Sequence, residues 1–188
     1  MNLKNWNIDT SWTLFLDRDG LINKRLPDDY VKKWDDFTFL PGVLKAIALL
    51  SRIFKRIIIV TNQQGIGKGI MTETDLRHIH EQMQKTIRNH DGRIDAIFFC
   101  PDLATKKPNC RKPGKALAVK AKEQFPEISF SKSIMAGDME SDVAFARNAG
   151  MKAVYCNEEP FHSKKYPVEP DISVDSLLTF ARLVMQKN

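Results

Sequence analysis

Long apolar runs are missing from this 188-residue sequence: stretches such as residues 57–60 fall far short of the roughly 20 residues that a membrane-spanning helix needs. No membrane partner is therefore expected. Cysteine is scarce, with three residues in all (Cys100, Cys110 and Cys156). That odd, sparse set is unlike the disulfide framework of a small secreted domain, so reduced thiols are expected. The first nine residues include Lys4, Trp6 and several asparagines but no apolar core or small-residue cleavage site, which makes the cytoplasm the expected location. Repeats, low-complexity tracts and Gly/Ser-rich linkers are also absent, so one domain spanning 1–188 is expected.

The composition is that of a folded chain. Hydrophobic residues make up 43% and charged residues 28%, which removes compositional support for disorder, collagen-like and coiled-coil structure. With 29 Lys and Arg against 23 Asp and Glu the net charge is +6. Such a balance favours anionic partners, and a phosphorylated metabolite fits it as well as a nucleic acid does.

Short β-branched or aromatic runs alternate with longer amphipathic ones. Residues 12–16, 57–60, 94–99, 133–136, 153–155 and 172–174 read as strands, and 41–54, 72–89, 113–125, 140–148 and 175–185 as helices. The second helix opens with Thr-Glu-Thr-Asp and carries Leu76, Ile79, Met83 and Ile87 on one stripe, a capped amphipathic pattern. Strands with near-continuous apolar character between helices predict an α/β fold, with a mostly parallel sheet covered on both faces. Two irregular segments, 21–40 and 101–112, follow strand ends. Ligands bind at that edge of open α/β sheets, so both are candidate substrate loops.

Four clusters at predicted strand ends could carry chemistry. Asp17 and Asp19, two apart in Asp17-Arg18-Asp19-Gly20, project to the same side of an extended chain. One carboxylate can then attack phosphorus while the other moves the proton of the leaving alcohol and then of water. Thr61-Asn62-Gln63 ends the second strand with a hydroxyl and neutral donors suited to phosphate oxygens. The following Gly65-Ile66-Gly67-Lys68-Gly69 fits neither phosphate-loop fingerprint and reads as a loop, from which Lys68 could reach a second anionic group. Arg111-Lys112-Pro113 offers a fork for phosphate and a cation to orient the nucleophile. Gly137-Asp138, with Asp142 one helical turn on, is suited to holding magnesium beside phosphate.

Taken alone, each cluster also reads as an ordinary turn or helix cap. The order Asp-x-Asp, Thr, Lys, Gly-Asp together resembles the haloacid dehalogenase (HAD) superfamily of phosphotransferases. Asp17-Arg18-Asp19-Gly20, residues 60–66, Cys100-Pro101 and Cys110-Arg111-Lys112-Pro113 are further similar to the heptose 1,7-bisphosphate and histidinol-phosphate phosphatase family. The resemblance implies a Rossmann-like HAD fold and a magnesium-dependent phosphatase. Asp17 would be the nucleophile, Asp19 the general acid/base, and Thr61 and Lys112 phosphate binders. Magnesium would be held by Asp17, Asp138 and the backbone carbonyl of Asp19. Asn62, Gln63, Lys68 and Arg111 are the candidate substrate-binding residues, and no segment is long enough for a large cap domain.

The implied substrate is a small phosphorylated sugar, most closely the 7-phosphate of a heptose 1,7-bisphosphate. Histidinol phosphate, a polynucleotide 3′-phosphate and a non-catalytic phosphate-binding module are the alternatives, and nucleic acid is not the expected partner. Members of this family carry a zinc loop, with Cys-x-His after the third strand and Cys-x-Cys before Arg-Lys-Pro. Here Asp102 stands at the His position and Pro108 at one Cys position, so a structural zinc is not expected. His78 and His80, on the second helix, read as surface or packing residues.

Overall fold

In a computed structural model, which describes residues 3, 6–27 and 29–187, six strands form one parallel sheet in the order β3-β2-β1-β4-β5-β6. They are β1 (Thr13–Leu16), β2 (Arg56–Asn62), β3 (Ala96–Cys100), β4 (Ser133–Gly137), β5 (Lys152–Cys156) and β6 (Ile172–Val174). The helices are α1 (Val43–Ser51), α2 (Gln64–Gly67), α3 (Glu73–Arg88), α4 (Ala116–Gln124), α5 (Glu140–Ala149) and α6 (Leu177–Met185). The part of the N-terminal reading that rests on residues 1, 2, 4 and 5 lies outside the described residues. Among those described, no helix is long and apolar enough to cross a membrane.

Alternation along the central strands divides the core in two. Leu14, Leu16, Ile57, Ile59, Ile134 and Ala136 face α1, α3 and α6. Phe15, Ile58, Val60 and Met135 face α4 and α5. Both sets are fully or almost fully buried, which is why these strands read as continuous apolar runs rather than as polar-apolar alternations. The cap on α3 forms as expected: Asp75 N donates to Thr72 Oγ1 at 3.1 Å, and Thr72 N donates back to the Asp75 carboxylate at 2.8 Å. An N-cap of this kind is worth about 1 kcal/mol.

Three predicted elements differ in extent or kind. Gly42, with φ +73°, precedes α1, so the helix starts later than residue 41. Pro113 and Gly114 form a turn instead of opening α4. The glycine-rich run expected to be a loop folds into one helical turn, α2, because Lys68 N and Gly69 N reach the carbonyls of Gln64 and Ile66 at 2.9 Å.

The excursion after β1 stays on the body of the protein. Trp34 stacks on Phe37 with ring centroids 5.1 Å apart, and Phe37 meets Phe39 edge-on at 5.0 Å. These rings pack on the same core as β1, so the segment serves as a rim and not as a large cap.

Candidate active site

The carboxyl ends of β1, β2 and β4 meet where strand order reverses, and all four sequence clusters converge there. Asp17 N donates to Ala136 O at 3.0 Å, extending the β1–β4 pairing by one residue and burying the Asp17 side chain. The chain then turns sharply: Arg18 O accepts from the amides of Ile22 and Asn23 at 2.8 and 3.1 Å. Gly20 sits in the turn with φ +98°, and a Cβ there would lie 2.1 Å from an Asp138 carboxylate oxygen. Only glycine lets the β1 turn approach β4 so closely.

Asp17, Asp138 and Asp142 bring one carboxylate oxygen each within 4.8 Å of one another. Lys112 Nζ sits between two of them, 2.8 Å from Asp17 Oδ1 and 2.6 Å from Asp142 Oδ1. Burial, then the Asp17 charge, pushes Asp142 up to about 7, although Lys112 opposes the shift. The same two causes push Asp138 up to about 6 against the pull of Arg25. Burial disfavours the Lys112 ammonium, but the Asp142 and Asp17 carboxylates more than offset it and hold the lysine charged. Buried carboxylates crowded in this way call for positive charge.

Arg25, which no sequence motif singled out, meets part of that need. Its Nη2 donates to Asp19 O at 2.5 Å and to the two Asp138 carboxylate oxygens at 3.0 and 2.9 Å. A cationic nitrogen thus lies against two of the donors that the resemblance gives to magnesium, and an oxygen-only set suits that hard cation. Asp17, Asp138 and the Asp19 carbonyl therefore fit the metal.

Asp19 is held by three side chains. Arg18 Nη2 donates to both of its oxygens at 2.9 Å, Asn23 Nδ2 to Oδ1 at 2.9 Å and Gln63 Nε2 to Oδ2 at 2.7 Å. Burial raises its pKa, yet the Arg18 charge and these hydrogen bonds win, and the carboxyl lies below its usual range. Thr61 is buried at the end of β2, and its Oγ1 accepts from Gln63 at 2.9 Å.

Asp17, Asp19, Thr61, Asn62, Gln63, Lys68, Arg111 and Lys112 all line one cavity of about 480 Å³. Within it, Asn62 and Gln63 spend their amides on the protein. Asn62 Oδ1 accepts from Lys112 N at 3.0 Å and its Nδ2 donates to Lys112 O at 3.3 Å, pinning Lys112 to the sheet. Lys68 Nζ lies 5.3 Å over the Tyr30 ring. Arg111 is half-buried and donates to Asp102 O at 3.1 Å; burial lowers its pKa against the pull of nearby anionic groups.

The expectation of reduced thiols is corrected here. Cys100 and Cys110 form a disulfide, with Cα atoms 5.5 Å apart. The loop returns Cys110 to the end of β3, because Asp102 accepts from Cys110 N at 3.1 Å and from Lys106 Nζ at 2.5 Å. That closure brings the two sulfurs within bonding range. Cys156 remains free and buried, and burial pushes its thiol far up.

His80, read from the sequence as a surface or packing residue, is on the packed side. It is buried, and Arg18 Nη1 lies 3.2 Å from its Nε2. The helical stripe of α3 placed the residue next to core positions, but no sequence signal paired it with Arg18.

A family model described as "HAD-hyrolase-like" matches residues 109–180. The D-glycero-alpha-D-manno-heptose-1,7-bisphosphate 7-phosphatase of Mycobacterium bovis is 36% identical over 170 residues, 90% of each chain. The D-glycero-beta-D-manno-heptose-1,7-bisphosphate 7-phosphatase of Helicobacter pylori J99 is 34% identical over 77% of this chain and 82% of its own. A solved D,D-heptose 1,7-bisphosphate phosphatase from B. bronchiseptica, complexed with magnesium and phosphate, superposes with a TM-score of 0.81 at 26% identity. It covers 94% of this chain and 99% of its own.

A six-stranded parallel sheet with paired aspartates at the end of its central strand thus defines a phosphatase of HAD type. Within that class the chain belongs to the family of D-glycero-manno-heptose-1,7-bisphosphate 7-phosphatases.

Proposed function

We propose that this chain is a magnesium-dependent phosphomonoesterase that removes the 7-phosphate of a heptose 1,7-bisphosphate through an aspartyl phosphate. The observation that carries this reading is the convergence of Asp17, Asp138 and the Asp19 carbonyl on cationic groups, with Asp17 and Asp19 lining a basic cavity. The relatives' activity on heptose 1,7-bisphosphates supports the sugar, and the magnesium and phosphate bound in the B. bronchiseptica structure support the metal. The reading includes one domain over residues 1–188 and a cytoplasmic setting.

In the first step a carboxylate oxygen of Asp17 attacks phosphorus as the ester P–O bond breaks, and Asp19, which must first take up a proton against the donors that hold it ionised, passes that proton to the leaving sugar oxygen. In the second step water attacks the same phosphorus, its proton passes to Asp19, and inorganic phosphate leaves with Asp17 restored. Arg18, Asn23 and Gln63 favour the ionised Asp19, the form required to accept that proton. Lys112, buried between Asp17 and Asp142, orients the nucleophile and offsets charge on the transferring group. Thr61 contributes a hydroxyl to the phosphate oxygens. When bound, magnesium supplies neutralisation of the dianionic phosphate as it nears a carboxylate.

Lys68 and Arg111 lie on the cavity wall formed by the loops after β2 and β3. There they offer charge-assisted hydrogen bonds to the phosphate that is not cleaved. The test is a parallel assay of heptose 1,7-bisphosphate, histidinol phosphate and a 3′-phosphorylated oligonucleotide with added magnesium. Highest kcat/KM on the bisphosphate is expected. Preference for either of the others overturns the sugar assignment, and no turnover of any of them overturns the enzymatic reading.

A further inference from the structure

Arg18 occupies the position between the two catalytic aspartates, and although the residue lines the cavity its side chain is buried. At 1% exposure it is among the most buried side chains, and desolvating a guanidinium without partners is costly. Its Nη2 is spent on both oxygens of Asp19. Its Nε has no hydrogen-bond partner among the described residues. The remaining terminal nitrogen, Nη1, faces Nε2 of His80 at 3.2 Å, across 62 residues of sequence.

Arginine has donors and no acceptor, so Nε2 must accept, which fixes the imidazole as neutral with its proton on Nδ1. The ring is held edge-on to Phe99 of β3, with centroids 6.4 Å apart. Burial, followed by the Arg18 charge, drives the imidazole pKa down to about 3, against the weaker pull of Asp19, in agreement with that neutral form.

We infer that His80 is a positioning residue for phosphoryl transfer: by accepting from Arg18 Nη1 it orients the buried guanidinium whose Nη2 holds the Asp19 carboxylate. This rests on the proposed catalytic roles of Asp17 and Asp19. His80 touches neither substrate nor metal donors and acts through Arg18. Without an acceptor at Nη1 the guanidinium has no reason to keep the rotamer that grips both oxygens, so Asp19 loses its alignment for taking a proton from water. The step that suffers is hydrolysis of the aspartyl phosphate, while binding of substrate by the cavity wall is left intact.

Two measurements test the inference. The first is ¹⁵N NMR of the wild-type imidazoles at neutral pH: His80 is expected as the neutral tautomer with Nε2 unprotonated. An imidazolium, or a proton on Nε2, overturns it without any variant having to fold.

The second compares His80→Leu, which has no acceptor, with His80→Gln, whose carbonyl can replace Nε2. His80→Leu is expected to lower kcat about tenfold with KM within about twofold, and to raise the acid-quenched phosphoenzyme fraction. His80→Gln is expected to restore kcat to within about threefold of wild type. Equal loss in both variants, a change confined to KM, or an unchanged phosphoenzyme fraction in His80→Leu overturns the inference. A wild type active on the bisphosphate beside an indifferent His80→Leu sinks this inference alone, whereas an inactive wild type sinks the catalytic reading with it.

Discussion

Two groups of potential metal ligands stand at neighbouring strand ends and differ in nearly every physical respect. Asp17, Asp138 and Asp142 are all buried, whereas of Cys100 at the end of β3 and Asp102 and Cys110 on the loop that follows, only the first is fully buried. In each group the ligand atoms come within 4.8 Å of one another. The carboxylate group is unsatisfied by its own members: two of its acids are pushed up to about 6 and 7, and cations are packed against it. The cysteine group is satisfied internally. Its sulfurs are bonded to each other, and Asp102 is occupied by Lys106 and the Cys110 amide. Proximity of donors is therefore a weak guide to a metal site; what matters is whether the fold has already spent them.

The comparison breaks first at Asp17. Asp17→Asn should lower kcat by at least about 10⁴-fold, because the amide is no nucleophile. Asp102→Asn should leave kcat within about threefold, since Asp102 supports a loop and touches no reacting group. Steady-state assay of both variants decides the matter, and comparable losses would erase the distinction drawn here.

Metal removal is the next largest contrast. Stripping divalent ions with a chelator should abolish turnover, and magnesium should restore it. A zinc-selective chelator should leave the melting temperature unchanged, because among the described residues only Cys100, Asp102 and Cys110 come together there, and zinc wants four ligands. Full activity in metal-free buffer, or stoichiometric zinc surviving gel filtration, would reverse the assignments of the two groups.

Stability should follow the same ranking. Gly20→Ala forces a side chain into a left-handed turn and against the Asp138 carboxylate, and should cost roughly 3 kcal/mol in denaturant unfolding. Reducing the Cys100–Cys110 disulfide should cost about 2–3 kcal/mol by releasing a short loop in the unfolded chain. A disulfide that contributes nothing would show that Asp102 and the packing of the loop order it unaided.

The smallest expected effect concerns pH. The Lys106 hydrogen bond, then the Cys110 amide, holds Asp102 below its usual range. A depressed carboxyl contributes stability that is complete above the unfolded value near 3.8 and is lost as pH falls through the lower folded value. Hydrogen exchange in residues 101–111 should therefore show constant opening equilibria between pH 7 and about 5. Loosening already at pH 5 would mean that Asp102 is not held as described.

Much of this molecule was legible as sequence. All six strands fall within a few residues of the expected positions, because a strand buried on both faces must be apolar at nearly every position. The eight candidate catalytic and substrate residues line one cavity, and Asp138 lies against Asp17 beneath it. They were visible because a parallel sheet places its strand ends along one edge, so local motifs at those ends meet in space.

Pairings between side chains on different segments of the chain were decided only by the tertiary structure. Arg25 reaches Asp138 across 113 residues because the segment after β1 folds back on its aromatic rings. His80 meets Arg18 because α3 packs on the face into which Arg18 is buried. Asn62, a substrate candidate on the cavity wall, also anchors Lys112 because the loop after β3 returns to the end of β2. Cys100 and Cys110 pair because that same loop closes. Chemistry at strand ends follows from local sequence and the periodicity of the backbone, whereas loop closure depends on the balance of packing over the whole sheet.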